Sequence, residues 1–263
     1  MKYILLISLV IFTFYSCKKK DNNVLAPAEN PRPTEITAPS DTLKQASSSI
    51  KLKFQTVAGT ANFKMYTNYT TAGGELIRLS RFQYYLSNFV LTKTNGSKVA
   101  LPNTYFLLDA AAKDSITLTN VSNAEYSGIS FLIGIDSTKS KEGAHSGDLD
   151  PVKNMFMEWS GYTYLAMEGL YGTSSPNKDF AYIIRGYSPS RYYAVQNASF
   201  TFDKSYNLNK PKKMLFKVDI LEAFKNPSVI NISSKPKIDV AGMDAVNFSI
   251  NYKDMFYLVK TEE

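Results

Sequence analysis

Three stretches of this chain alternate apolar and polar residues with a period of two, which confines most of it to β-structure. Ile50, Leu52 and Phe54 interleave with Lys51, Lys53 and Gln55, and similar alternation recurs at Met214, Phe216, Val218 and Ile220 and at Val246, Phe248, Ile250 and Tyr252. Successive side chains of a strand point to opposite faces, so each stretch predicts a strand with one buried face. The segment Arg81 to Leu91 runs into Asn95-Gly96, with Val99-Ala100-Leu101 beyond it. Asn-Gly supplies the positive φ angles of a type I′ turn and predicts a hairpin. Further strands are predicted at Ile116 to Val121, Ile129 to Ile135, Gly161 to Glu168, Phe180 to Tyr187 and Ala198 to Phe202. Only Ile220 to Lys225 reads as helical, and it is short. The expected fold is all-β: a two-sheet antiparallel sandwich, Greek-key or immunoglobulin-like, with one short helix. The abundant Tyr and Phe then fill the layer between the sheets.

The single cysteine, Cys17, stands at the end of an apolar leader that starts at Met1-Lys2 and runs through Leu5, Leu6, Ile7, Leu9, Val10, Ile11 and Phe12 to Ser16. The run is too short to be retained across a bilayer and has the build of a secretory signal. Ser16-Cys17 resembles the lipoprotein cleavage site in the form common in the Bacteroidetes. Residues 1–16 are therefore expected to be a lipoprotein signal peptide and Cys17 the lipidated first residue of the mature chain. Residues 17–49, with Pro27, Pro31, Pro33 and Pro39 among Ser, Thr, Ala and Asn, have the composition of a flexible tether. Residues 50–263 fit one β-domain, which has no disulfide and must rest on its packed core. The expected location is the outer membrane, on its periplasmic or cell-surface face, with the lipid as membrane partner. Net charge is +7 for the whole chain, and the lysines are scattered. No helix shows a basic stripe, so nucleic acid is not an expected partner.

Side chains with ligating chemistry gather in one place. The only His and the only Trp lie in a stretch that runs from His145 through Asp148, Asp150, Met155, Met157 and Trp159 to Glu168. One histidine rules out three-histidine and His-Glu-x-x-His zinc sites, and there is no Gly-x-Ser-x-Gly elbow, dinucleotide fingerprint or phosphate loop. Asp and Glu are plentiful, but nothing singles out a glycosidase pair. One imidazole with Met155, Met157 or Met167 can hold Cu(I), which accepts thioether and imidazole in low coordination. The ordinary roles of the same residues are a solvated loop histidine, methionines filling a core and a tryptophan packed on the sandwich. Asp148 and Asp150 suit caps or loop braces better than a calcium cage. Glu168 is a candidate ion-pair partner for Arg78, Arg81 or Arg185.

Several short motifs occur in a fixed order. They are Tyr84-Tyr85-Leu86-Ser87-Asn88, Tyr105 to Asp109, Ile133-Gly134-Ile135-Asp136-Ser137, His145-Ser146-Gly147-Asp148-Leu149-Asp150-Pro151, Met155-Phe156 with Trp159, Gly161-Tyr162 and Glu168-Gly169. In this order the chain resembles the MbnP-like family of exported, copper-associated β-domains, clearly over residues 50–187 and weakly beyond. The resemblance implies copper as cofactor, bound through a histidine and an oxidatively modified tryptophan, with a dihaem peroxidase or a copper-bearing ligand as partner. It maps those roles onto His145 and Trp159, with Asp136, Asp148, Asp150, Gly161, Tyr162 and Glu168 as motif residues. Two positions depart from the family pattern: Met157 stands where a second tryptophan is expected, and Tyr182-Ile183-Ile184-Arg185-Gly186 stands where a Tyr-His-Ile-Gly strand is expected. The expected function is a non-enzymatic, lipid-anchored binding protein that sequesters or delivers copper. The alternative is a surface adhesion or glycan- or peptide-docking module with a degenerate metal site, for which aromatic strands such as Tyr192-Tyr193 offer a stacking surface.

Overall fold

The structure of the protein, a computed structural model, describes residues 47–188, 192–210 and 212–262. The expected signal peptide, Cys17 and the expected tether as far as residue 46 lie outside the described residues. The first strand, Ser47–Ala58, starts slightly ahead of the domain boundary expected at 50.

Two main sheets form a sandwich. In the smaller, the strand Ser47–Ala58 lies between Ser115–Ser122 and Lys212–Asp219, and Phe256–Glu262 pairs with the far edge of Lys212–Asp219. The larger is built on Leu76–Lys93, an 18-residue strand long enough to serve several partners in succession. The sheets are antiparallel with two exceptions: Ser47–Ala58 runs parallel to Lys212–Asp219, and Ala181–Tyr182 runs parallel to Lys237–Ile238. A parallel pair cannot be joined by a tight hairpin and needs a long connection. Both pairs meet that condition: most of the larger sheet is threaded between the first two strands, and Gln196–Asn207 and Lys212–Asp219 lie between the second two.

The alternating residues identified in the sequence face inward and meet as rings. Phe54, Phe216 and Phe256 of the smaller sheet touch Phe131 of the larger at 6.0, 5.8 and 6.1 Å between centroids. Phe256 also meets Tyr84 edge-on at 5.4 Å, and Phe200 meets Phe216 at 5.0 Å. The edge-to-face geometry of these contacts suits the aromatic quadrupole.

The third alternating stretch is not a strand. Met243–Lys253 is an α-helix, and with Ser137–Lys141 it makes two helices where one was expected; Ile220 to Lys225 contains only a single 3-10 turn, Glu222–Phe224. Ala245, Phe248, Ser249 and Tyr252 are buried while Ile250 is 43% exposed, which is helical rather than strand spacing. Phe248 packs on Tyr182 at 4.8 Å and on Phe224 at 6.0 Å, so the helix covers the larger sheet beyond the sandwich layer. The Asn95-Gly96 hairpin is present with a different turn: Gly96 donates to Lys93 O at 2.9 Å, and of the pair only Gly96, at φ +82°, has positive φ. Asn95 instead accepts from Ser97 N–H at 3.0 Å.

The long strand also sets the position of the candidate site. Its first half, Leu76 to Tyr84, pairs with Leu165–Gly172 and its second half, Leu86 to Lys93, with Glu125–Ile133. At Tyr85, between them, the N–H donates to Tyr164 O and the carbonyl accepts from Gly134 N–H, both at 2.9 Å. Two strands that follow one another within this sheet therefore lie end to end along one edge, and the chain between them leaves the sheet at Gly134 and returns at Tyr164.

Candidate functional site

This crossover holds His145, Met155, Met157 and Trp159, and the motif residues fasten it to the sheet. Where it leaves the sheet, Ser87 Oγ donates to Gly134 O at 2.7 Å. Asp136 caps the Ser137–Lys141 helix by accepting Lys139 N–H at 3.0 Å, and it also accepts Tyr105 Oη–H at 2.7 Å and Asn88 Nδ2–H at 3.2 Å. Burial works to raise the Asp136 pKa, but these donors outweigh it and hold the carboxyl below its ordinary value. Further along, Asp148 accepts Leu107 N–H at 3.0 Å and pairs with Lys113, while its carbonyl accepts Tyr85 Oη–H at 2.7 Å. Asp150 caps the 3-10 turn Pro151–Lys153 through Val152 N–H at 2.9 Å. Tyr162, fully buried, donates to Leu149 O at 3.0 Å and accepts from His145 N–H at 3.2 Å.

Glu168 lies just past the return, at a bulge where pairing jumps from Arg81 to Leu79, and it accepts from Arg81 Nη1 at 2.7 Å. Gly169 occupies the bulge because a Cβ there would meet Arg78 O at 2.1 Å. Arg81 makes three further bonds: Nε donates to Gln83, and Nη2 donates to Asn154 O at 2.9 Å and to Met155 Sδ at 3.3 Å.

The four candidate donors occupy different surroundings. The His145 ring lies parallel to Tyr162 at 6.4 Å, and its Nε2 is buried without a hydrogen bond, with the nearest carboxylate oxygen, of Glu142, at 3.4 Å. Met155 is fully buried beneath Arg81. Met157 is 41% exposed, and its sulfur accepts from Arg185 Nη1 at 2.8 Å. Met167 is fully buried in the core. Trp159, expected against the sandwich, is 78% exposed. It sits at the tip of the small hairpin Phe156–Met157/Gly161–Tyr162, which Ser160 N–H closes onto Met157 O at 3.1 Å; a tip residue has no sheet beneath it. Among the described residues, no three or more His, Cys, Asp or Glu side chains gather into a metal-binding group.

Sequence reasoning gave Arg185 only as a possible partner for Glu168, and the structure gives it a separate place. It follows the strand Lys178–Ile184, is 3% exposed, and donates to Ser160 Oγ at 2.9 Å and Thr163 Oγ1 at 3.2 Å as well as to Met157. Burial lowers its pKa. A cavity of about 530 Å³ lies beside it, lined among others by Phe156, Met157, Trp159 and Arg81. The signal that could have found it is a single arginine directly after the apolar run Phe180 to Ile184.

A family model described as MbnP matches residues 47–241. The solved structure of MbnP from Methylosinus trichosporium is similar in fold, with a TM-score of 0.51 and 14% identity over 76% of this chain and 87% of that one. No curated protein matches the chain.

Proposed function

The chain belongs to the MbnP family, and from that premise we propose that it is a non-enzymatic, lipid-anchored, extracytoplasmic binding protein that takes up copper carried by a chelating ligand. Lipidation at Cys17 supplies the anchor. The supporting observation is the buried His145 Nε2, a ligating nitrogen with no hydrogen-bond partner and the Glu142 carboxylate 3.4 Å away. Imidazole and carboxylate suit copper and leave its coordination incomplete, so a chelating ligand fills the remaining positions. The sulfurs of Met155 and Met157 each accept an N–H from a guanidinium, and the Glu142 carboxylate pairs with Lys139 Nζ at 2.9 Å, so a metal has to displace a cation at each of them, whereas His145 Nε2 is bonded to none. What the chain's own residues contribute is placement. Tyr162 holds His145 by its backbone and by ring stacking, and the Asp136-capped helix carries Glu142 at its C-terminus.

The test is a copper competition titration on the full chain against a chromophoric chelator, with intact mass recorded for oxidation at Trp159. His145→Ala and Glu142→Gln are each expected to weaken binding by about tenfold or more, which is about 1.4 kcal/mol, and Met157→Leu to leave it unchanged. Binding that survives His145→Ala, or none in the parent chain, refutes the reading. A dihaem peroxidase as partner belongs to the same proposal and predicts a mass increase confined to Trp159.

A further inference from the structure

We propose that the cavity between Trp159 and Arg185 is a second binding site, for an organic ligand bearing one carboxylate. It shares no residue with the His145–Glu142 pair, and although Trp159 is also the expected oxidation site, its test is run without copper, so the two readings fail separately. Arg185 is 3% exposed, yet its three hydrogen-bond acceptors are all neutral: the sulfur of Met157 and the hydroxyls of Ser160 and Thr163. Its Nε is buried with no partner, and among the described residues no carboxylate comes within ion-pair distance of it. Burying a guanidinium in this state is costly, because a charge out of water needs an opposite charge and filled hydrogen bonds.

The other cations on the cavity wall are matched. Arg81 pairs with Glu168 at 2.7 Å, and Lys237 pairs with Asp239 at 2.7 Å. Among the described residues of that wall, Arg185 is the cation with no carboxylate in ion-pair contact, Asp239 acting on it only from a greater distance, so the complementary ligand carries a single negative charge. A carboxylate matches it best, since a planar guanidinium offers parallel N–H groups to a planar two-oxygen acceptor. The hydroxyls of Ser160 and Thr163 accept from Arg185 in this structure and can each donate their own proton to a carboxylate oxygen. The rest of the ligand meets a different chemistry. Phe156 lines the cavity, and the indole of Trp159, 78% exposed on a hairpin tip, offers an aromatic surface for a flat ring or a sugar face. A volume of about 530 Å³ is that of a small-molecule site.

Trp159 is the only tryptophan in the chain, so it reports occupancy without a label. The full chain, in excess metal chelator to remove any copper contribution, is titrated with benzoate, glucuronate and a short peptide with a free C-terminal carboxylate. Benzamide, glucose and the amidated peptide are the neutral counterparts. At least one carboxylate is expected to change Trp159 fluorescence saturably, its neutral counterpart binding about tenfold more weakly or less, and the responding member identifies the source. Arg185→Gln is expected to weaken that ligand by about tenfold while thermal unfolding by circular dichroism stays cooperative. If Arg185→Gln does not fold, Trp159→Ala, at an exposed tip, is expected to weaken binding measured by calorimetry. No saturable response to any carboxylate, equal response to acid and neutral partner, or an Arg185→Gln chain that folds and binds as the parent overturns the proposal and leaves Arg185 as a clamp on the hairpin.

Discussion

Asp136 joins elements distant in sequence through one carboxylate, accepting hydrogen bonds from Tyr105, Asn88 and the backbone of Lys139. Its pKa is lowered from 3.8 on folding, so it adds stability that is complete above that value and is lost as pH falls through the lower folded one. In thermal melts, the parent chain should exceed Asp136→Asn at neutral pH, and the gap should close as the solution is acidified below the carboxylate range. A gap independent of pH would mean that the carboxylate charge contributes nothing. Asp148 braces by different means, through Leu107 N–H and Lys113. Asp148→Ala is expected to cost roughly 1–3 kcal/mol in denaturant titration, because it leaves a buried N–H unmet. The sequence marked both aspartates and the lone histidine, since rare or charged side chains in a short motif stand out. It gave Arg185 no role beyond a possible ion pair, because burial and the lack of a carboxylate partner are properties of the fold and not of the residue type.

The strands with the clearest alternation are present, since a period of two with one buried face has few competing readings. The alternation from Val246 to Tyr252 misled because Val246, Phe248, Ile250 and Tyr252 fit a strand on paper, while the faces that decide the matter are those of Ala245, Ser249 and Asn251, also buried. The distinction is measurable: Phe248→Ala should cost about 3–5 kcal/mol and Ile250→Ala within about 0.5 kcal/mol in chemical denaturation. Similar costs at the two positions would contradict the helix. In the larger sheet, the Glu168–Gly169 bulge depends on a missing side chain. Gly169→Ala sets a Cβ against the Arg78 carbonyl, and the register beside Arg81 must shift or the chain lose stability.

Across the whole molecule, the first described strand is completed only by the last ones. Ser47–Ala58 needs Lys212–Asp219 as its parallel neighbour, and Phe256 near the end of the chain packs on Tyr84 and Phe131. Such non-local pairing makes assembly wait for the C-terminal part. A chain ended at residue 241, where the family match stops, loses the helix and the Phe256 contacts, and is expected to resist protease less and melt less cooperatively than the full chain. Equal protease resistance would show the last strand to be dispensable. The end-to-end placement of Glu125–Ile133 and Leu165–Gly172 on one strand has a consequence of another kind. Between Gly134 and Tyr164 the chain adds little to the ladder of the large sheet and is held instead at a few anchors, Asp136, Asp148, Met155 and Tyr162 among them, so the positions between those anchors are free to drift while the sheet stays as it is. The crossover behaves as a cartridge in a fixed socket: grafting the segment of a relative between these two residues should change what the protein holds and leave the sandwich that carries it intact.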